Sequence, residues 1–269
     1  MDLTTISEIA PAKDLDSATG WRQGDAWLAG GTWLFSEPQP DLRRLIDLQS
    51  IGWQPISITA KHLQIAATCT IAELYSMQAP AEWTAAPLIQ QCCDSFASSF
   101  KVWNSATVGG NICMSLPAGP MISLASALEG VCIVRRRSGD EYSIPIEEFV
   151  IGNHRNVLGA GDLLTRIDIP LTSLSMRSAF RRVSLTQFGR STALLIGMRN
   201  RAGGVRLTVT AATDRPYRFN FQDIPGAHEL RTILERGINS FFDDVHGNPD
   251  YRQHMTYYLA EEIRRELAG

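Results

Sequence analysis

The sequence has little that would support a fold held by disulfides or metal–thiolate bonds. Its 269 residues contain five cysteines, an odd number. No two of them stand in a C-x-x-C or ferredoxin-like spacing. We therefore expect reduced, mostly buried thiols and no iron–sulfur cluster carried by this chain.

Long apolar runs and an excess of charge of one sign are also missing. No apolar run approaches the roughly 20 residues that cross a bilayer, and the first residues, Met1–Thr4, lack the basic start of a secretory signal. We expect a cytoplasmic protein. The net charge of −3 favours neither nucleic acid nor an anionic membrane as a partner. We interpret the basic run Arg135–Arg137, which precedes a turn-like Ser138–Asp140, as a solvated strand end.

Familiar catalytic patterns are absent from the sequence as well. The five histidines show no H-E-x-x-H or paired-ligand spacing, and no G-x-S-x-G marks a nucleophile. The carboxylate pairs Glu147–Glu148 and Asp243–Asp244 are adjacent, so the two members of a pair cannot easily face one substrate. His154 lies in a predicted loop, where a surface role is favoured over catalysis. We therefore predict no catalytic residue and no metal ligand.

What the sequence does contain is an ordinary globular composition, with 44% hydrophobic and 20% charged residues. Patterning predicts strands at Leu45–Leu48, Leu63–Ala66, Val131–Val134 and Leu164–Ile169. Because the last of these stops at Pro170, we place it at a domain edge. Helices are predicted to begin at Thr70, which has capping-box spacing to Glu73, and at Pro87, and a third covers Ile122–Leu128.

The last hundred residues have a different pattern, after a predicted linker at Pro170–Met176. Ala193–Asn200 and Val205–Ala211 indicate a hairpin, because a glycine-containing turn separates two β-rich runs. An i+4 apolar stripe from Tyr251 to Leu267 predicts an amphipathic C-terminal helix, with Asp250 as its cap. The pattern indicates a larger α+β domain to about residue 170, followed by a smaller α+β domain.

Two glycine-containing segments, Trp27–Leu34 and Asn104–Ile112, are candidates for binding an anion. Glycine reaches positive φ cheaply and leaves no Cβ between the backbone and a ligand. Successive amide N–H groups can then converge on a diphosphate. The Thr32 and Thr107 hydroxyls and the Asn111 amide are suited to complete the contacts. Neither segment fits the Rossmann or Walker pattern.

Together, Ala29–Thr32 and Ala106–Ile112, about seventy residues apart, resemble the FAD-binding (medium) subunits of the molybdenum hydroxylase family. This family includes xanthine dehydrogenase and carbon monoxide dehydrogenase. Four further segments are similar to family segments in the same order: Ser115–Gly119, Asp162–Pro170, Ser178–Arg182 and Tyr251–Met255.

The resemblance implies an α+β fold, with a two-part FAD-binding domain of the p-cresol methylhydroxylase and vanillyl-alcohol oxidase type. That domain would span residues 1–172, with lobes at about 1–55 and 56–172, and a small α+β domain would span 173–269. Leu164 would lie near the flavin ring and Arg181 would face it. The full set of implied FAD-binding residues is Trp27, Leu28, Ala29, Gly30, Gly31, Thr32, Trp33, Leu34, Ala106, Thr107, Gly109, Gly110, Asn111, Leu164 and Arg181.

The resemblance also implies a function in electron transfer. Electrons would pass from the clusters of a 2Fe–2S small subunit to FAD on this chain, and then to NAD or another acceptor. Substrate would be hydroxylated on a molybdenum-cofactor large subunit. The expected assembly is a dimer of heterotrimers. Two alternatives stay open: a self-sufficient flavin oxidase or reductase, and a structural subunit that has lost FAD. The sequence departs from the family at Trp33, Met114 and Pro120, which keeps the last alternative open.

Overall fold

The computed structural model describes residues 3–12 and 20–269, which form a mixed α+β fold. The strands in chain order are β1 (Glu8–Pro11), β2 (Asp25–Leu28), β3 (Arg44–Asp47), β4 (Ile56–Ile58), β5 (His62–Ala66), β6 (Val131–Arg135), β7 (Glu141–Pro145), β8 (Val150–Gly152), β9 (Arg155–Asn156), β10 (Leu163–Pro170), β11 (Arg177–Ser184), β12 (Ser191–Arg199), β13 (Val205–Thr210) and β14 (Tyr217–Phe221). The helices are α1 (Ile71–Tyr75), α2 (Pro87–Asp94), α3 (Phe100–Trp103), α4 (Val108–Met114), α5 (Pro120–Ala127), α6 (Ile146–Phe149), α7 (Leu171–Leu174), α8 (Ala227–Gly237) and α9 (Pro249–Ala268), and a 3-10 helix covers Leu48–Ile51.

The described strands form three main sheets and a short β8–β9 ribbon. The first sheet is parallel, in the order β1-β3-β2. The second is antiparallel, in the order β4-β5-β10-β6-β7. The third is also antiparallel, in the order β11-β12-β13-β14, and contains the predicted hairpin as β12 and β13.

Proline is typical of an edge strand, but β10, which contains the predicted strand Leu164–Ile169, does not lie at the edge of its sheet. It pairs with β5 on one side and β6 on the other, so it is the central strand of its sheet. Pro170 takes the last register position, opposite His62, where it ends the strand. The predicted linker that follows is wrong in part, because α7 forms there and Leu174 is fully buried in the core.

Most local predictions for the helices are confirmed. At α1 the Thr70 hydroxyl accepts from the Glu73 amide at 3.1 Å, and Glu73 returns the bond to the Thr70 amide at 2.8 Å. Helix α9 has the predicted stripe, but its cap is Asn248 and not Asp250. The reason is Pro249: proline fits the first helical position because its missing N–H needs no partner there, so the residue before it becomes the cap.

Strand β12 joins the two larger clusters of the core, because both of its faces are buried. Leu194, Ile196 and Met198 contribute to the main cluster, which lies between the five-stranded sheet and helices α1, α2, α4 and α5. The alternate residue Leu195 belongs to a second cluster with α8 and α9. The five cysteines are free thiols and four of them are buried, as expected. No described helix is long and apolar enough to cross a membrane.

A partly buried ion pair fixes the start of the parallel sheet. Asp25 on β2 accepts from Arg44 Nε at 2.9 Å and Nη2 at 2.5 Å. It also accepts from the Arg22 amide at 2.7 Å. The Arg44 hydrogen bond lowers the pKa of Asp25 below its usual value, although burial acts in the opposite direction. The carboxylate is therefore more stable in the folded chain than in the unfolded chain.

This pair predicts a pH-dependent contribution to stability. Because the folded pKa of Asp25 is lowered, its contribution is complete above the unfolded pKa of about 3.9 and is lost as pH falls through the folded pKa. We expect Asp25→Asn to lower the free energy of unfolding at pH 7, and the deficit to shrink below about pH 4. Urea unfolding of both proteins at pH 7 and pH 3 measures this. An equal deficit at both values would contradict the pairing.

Candidate cofactor-binding site

The two glycine-containing segments lie against each other. The first follows β2, and the second leads into α4. A Cβ built on Gly30 would lie 1.7 Å from the Ser105 carbonyl oxygen and 2.6 Å from its carbon. Only a residue without a side chain lets the two backbones approach so closely. The folded chain therefore brings together the two segments that the sequence singled out.

The first segment offers a row of free amide donors. Gly31 has φ +69°, in the left-handed region that favours glycine, and its carbonyl accepts from the Phe35 amide at 2.9 Å. Within residues 3–12 and 20–269, the amides of Gly31, Thr32, Trp33 and Leu34 have no acceptor. Consecutive N–H groups around a left-handed residue form an anion-binding concavity.

The second segment, in contrast, uses its amides internally. The Val108 and Gly109 amides donate to the carbonyls of Cys69 and Ala67. The Gly110 amide donates to Thr107 Oγ1 at 3.0 Å, which caps α4. The second segment therefore does not supply free amide donors as the first does, because the backbone of Ala67 and Cys69 and the Thr107 cap accept from its amides.

Asn111 is likewise partly engaged. Its Oδ1 accepts from the Met121 amide at 3.0 Å and so ties α4 to the start of α5. At this start, Pro120 has no N–H, and the Ile122 amide donates to the Gly119 carbonyl. Two donors of the Asn111 and Thr107 side chains remain free for a ligand: the Asn111 Nδ2 group and the Thr107 hydroxyl hydrogen.

A cavity of about 890 Å³ opens beside these segments. Its volume lies in the upper part of the roughly 300–1,000 Å³ range of small-molecule sites. Eleven of the sequence-predicted binding residues line it: Trp27, Ala29, Gly30, Gly31, Thr32, Trp33, Leu34, Ala106, Thr107, Gly110 and Asn111. The free amides and the volume fit a dinucleotide whose diphosphate lies on the first segment.

Three predicted residues do not line this cavity. Leu28 is the last residue of β2. Leu164 is buried in the main core on β10. Gly109 packs against Ala67, where a Cβ would lie 2.4 Å from the alanine side chain and 2.7 Å from its backbone. The two adjacent glycines thus differ: Gly109 allows close packing, and Gly110 lines the cavity.

Arg181 is also placed away from the cavity. Its guanidinium pairs with Glu262 at 3.1 Å and Glu266 at 2.7 Å, both on α9. These two carboxylates hold the side chain against the C-terminal helix, so it does not face the space beside the glycine segments. The geometry gives Arg181 a role in packing α9 on β11.

Sequence reasoning missed several residues that line the cavity. His154, interpreted as a surface residue, is exposed but lies at the cavity, with its ring 5.3 Å from that of Trp33. Its backbone is in the left-handed region, at φ +54°, and no pattern in the sequence indicates this conformation. A further wall comes from the C-terminal part of the chain and includes Arg190, Asp244 and Arg252. Met114 and Pro120 line the cavity as well.

No group of three or more histidine, cysteine or acidic side chains in the described ranges could hold a metal ion. The arrangement can instead bind an anionic, ring-bearing ligand, through free amides on one side and the Trp33 and His154 rings on another.

Comparison with known proteins supplies the family. The model of the FAD binding domain in molybdopterin dehydrogenase matches residues 7–172. A curated relative, the caffeine dehydrogenase subunit beta of Pseudomonas sp. (strain CBB1), is 29% identical over 140 residues. That match covers 50% of this chain and 46% of the relative, so the chain matches about half the length of that protein.

Solved structures share the fold over nearly the whole chain. Quinoline 2-oxidoreductase of Pseudomonas putida 86 has a TM-score of 0.82 at 19% identity, covering 100% of this chain and 98% of that one. Carbon monoxide dehydrogenase of Oligotropha carboxidovorans has a TM-score of 0.84 at 18% identity, covering 98% and 99%. These likenesses confirm the predicted mixed α+β fold. By its matched sequence, the chain belongs to the FAD-binding family of the molybdopterin dehydrogenases.

Proposed function

We propose that this chain binds FAD in the cavity and acts as the electron-transfer subunit of a molybdenum-containing hydroxylase or dehydrogenase. The observation that carries the proposal is the run of free amides from Gly31 to Leu34 at the edge of a dinucleotide-sized cavity. Family membership supports the identity of the cofactor. The caffeine dehydrogenase subunit and the carbon monoxide dehydrogenase structure support a role within a larger oxidoreductase.

The proposed assembly joins this chain to a 2Fe–2S small subunit and a molybdenum-cofactor large subunit, as a dimer of heterotrimers. Electrons would pass from the small subunit to NAD or another acceptor through this chain. FAD suits that position because it exchanges electrons either singly or in pairs. We assign FAD binding to residues 1–172, in lobes at about 1–55 and 56–172, and assign the remaining wall of the cavity to residues 173–269.

The chain's own residues bind and orient the cofactor. In the proposal, the amides of Gly31 and its neighbours donate to diphosphate oxygens, and Gly110 leaves room for the ligand. Trp33 and His154 offer ring surfaces on which a planar ring can stack. The organic substrate would be bound elsewhere in the complex, so no residue here acts on it.

A structural subunit without FAD is the second candidate, and one observation favours it. The three departures from the family, Trp33, Met114 and Pro120, all line the cavity. Pro120 has neither an amide hydrogen nor a polar side chain to offer a ribose or ribityl hydroxyl. The visible absorption spectrum of protein purified with added FAD separates the candidates: a flavin band supports the first, and its absence supports the second.

The adjacent glycines of the second segment provide a mutational test. A Cβ on Gly110 would lie 2.8 Å from Thr107 Oγ1, so the cap hydroxyl would have to shift, and no other described atom outside the helix backbone lies within 4 Å. Because Gly110 lines the cavity, a larger side chain here takes up ligand space. We expect Gly110→Val to abolish FAD retention by filling ligand space. The measurement is FAD released per polypeptide on denaturation. Unchanged FAD content in the folded variant would contradict this placement of the ligand.

Gly109→Ala is the contrasting variant. Its methyl group would press on the Ala67 backbone, so its effect should appear as a lower unfolding temperature in protein prepared without FAD.

Co-purification of the chain with iron–sulfur and molybdenum subunits tests the proposed partners.

A further inference from the structure

Two of the described residues that line the cavity are cations, Arg190 and Arg252, and they differ in their partners. Arg252 is 1% exposed and donates to the carbonyls of Gly247, Thr192 and Ala211. It also pairs with Asp244. Its charge is therefore already paired and four of its five N–H donors are used, which leaves one N–H for a ligand.

Arg190 is uncommitted. In the part of the chain that the structure describes, its guanidinium has no carboxylate and no hydrogen-bond acceptor. It directly precedes β12, and two residues later Thr192 donates through its hydroxyl to the His246 carbonyl at 2.6 Å. His246 lines the same cavity, so this bond fixes the backbone beside Arg190 to the cavity wall.

The cavity therefore has two unsatisfied sets of anion-binding donors from distant parts of the chain. One is the run of amides at Gly31–Leu34, and the other is the guanidinium of Arg190. An exposed arginine can simply be solvated, but this one borders the same space as four free amides. A diphosphate provides enough acceptor oxygens for both sets, and arginine binds phosphate oxygens in a bidentate manner.

We propose that Arg190 is a phosphate-binding residue that the C-terminal sheet supplies to the dinucleotide in this cavity. The inference rests on the proposed function and deepens it. Binding of the dinucleotide then links the C-terminal part of the chain to the first glycine segment, because each part contributes donors to one diphosphate.

The test compares ligands that contain different parts of FAD. Apoprotein is titrated with FAD, with ADP, which has a diphosphate and no flavin, and with riboflavin, which has a flavin and no phosphate. For Arg190→Met we expect the Kd of FAD and of ADP to rise about tenfold, as loss of a charge-assisted hydrogen bond implies. The Kd of riboflavin should stay unchanged, and added salt should weaken ADP binding less than in the wild type.

Two further variants complete the test. Arg190→Lys keeps the charge but loses the bidentate geometry, so it should recover part of the lost affinity. Arg201→Met removes an exposed arginine that lies outside this cavity, in the turn between β12 and β13, and should leave all three Kd values unchanged.

Any of the following outcomes would overturn the inference. If the Kd values of Arg190→Met equal those of the wild type, the role of Arg190 is refuted and FAD binding remains intact. An equal loss for riboflavin would show that the substitution disturbs the cavity and not a phosphate contact. An equal loss in Arg201→Met would indicate a general charge effect. Failure of the wild type to bind FAD or ADP would refute the proposed function as well.

Discussion

Gly30→Ala is expected to separate the two glycine-containing segments and to abolish FAD binding. The new methyl carbon would lie 1.7 Å from the Ser105 carbonyl oxygen and 3.2 Å from the Ala106 Cα. Both are backbone atoms, which cannot turn away as the end of a flexible side chain can. Overpacking of this kind costs about 1–3 kcal/mol or more, and here it also distorts the cavity. Thermal unfolding and FAD content per polypeptide measure the two effects.

Gly152→Ala is the matched control for this variant. A Cβ on Gly152 would find only ordinary contacts among the described atoms, the nearest 3.6 Å away at Asp214. Gly152 also directly precedes residues that line the cavity, Asn153 and His154. We expect this variant to keep both its unfolding temperature and its FAD. Equal behaviour of Gly30→Ala and Gly152→Ala would show that the contact between the segments is unimportant.

Arg252→Met is expected to cause the largest loss of stability, about 3 kcal/mol or more. The substitution leaves Asp244 without its cation and removes the donor to three backbone carbonyls in the C-terminal wall. Breaking a buried pair from one side costs about 3–5 kcal/mol. Because the Asp244 side chain is 31% exposed and partly solvated, we expect the lower end of this range. Urea unfolding measures the change.

Arg265→Met provides the control on the same helix. Arg265 pairs with Glu261 across one turn of α9, and its side chain is 73% exposed. Loss of such a surface pair costs about 0.5 kcal/mol or less. Similar midpoints for the two variants would contradict the structural role of Arg252. Arg252→Lys should not restore stability, since one ammonium group cannot reach all the acceptors of a guanidinium.

Features of the fold that depend on local pattern could be predicted from the sequence. The capping box at Thr70, the hairpin of β12 and β13, and the stripe of α9 were all correct, because neighbouring residues determine them. The position of β10 was not predictable in this way. Pro170 is typical of an edge strand, whereas here it marks only the end of a strand that is paired on both sides.

The candidate site likewise contains features that local sequence predicts and features that depend on the tertiary structure. The glycine segments were found because glycine has a distinctive conformational freedom, but the different roles of Gly109 and Gly110 depend on Ala67, which lies far away in sequence. Arg181 and Arg190 lie on either side of one hairpin turn, and only the tertiary structure shows which of them borders the cavity. The residues of the C-terminal wall have no local pattern that would identify them.

Because both faces of β12 are buried, this strand affects which fragments of the chain can fold. A fragment ending at residue 172 would contain the segment matched by the family but would lack Leu194, Ile196 and Met198. The apolar surface that these residues cover would then face water, which favours aggregation of the fragment. We therefore expect the N-terminal part to fold cooperatively with the C-terminal sheet, so that a stable fragment has to extend beyond residue 172.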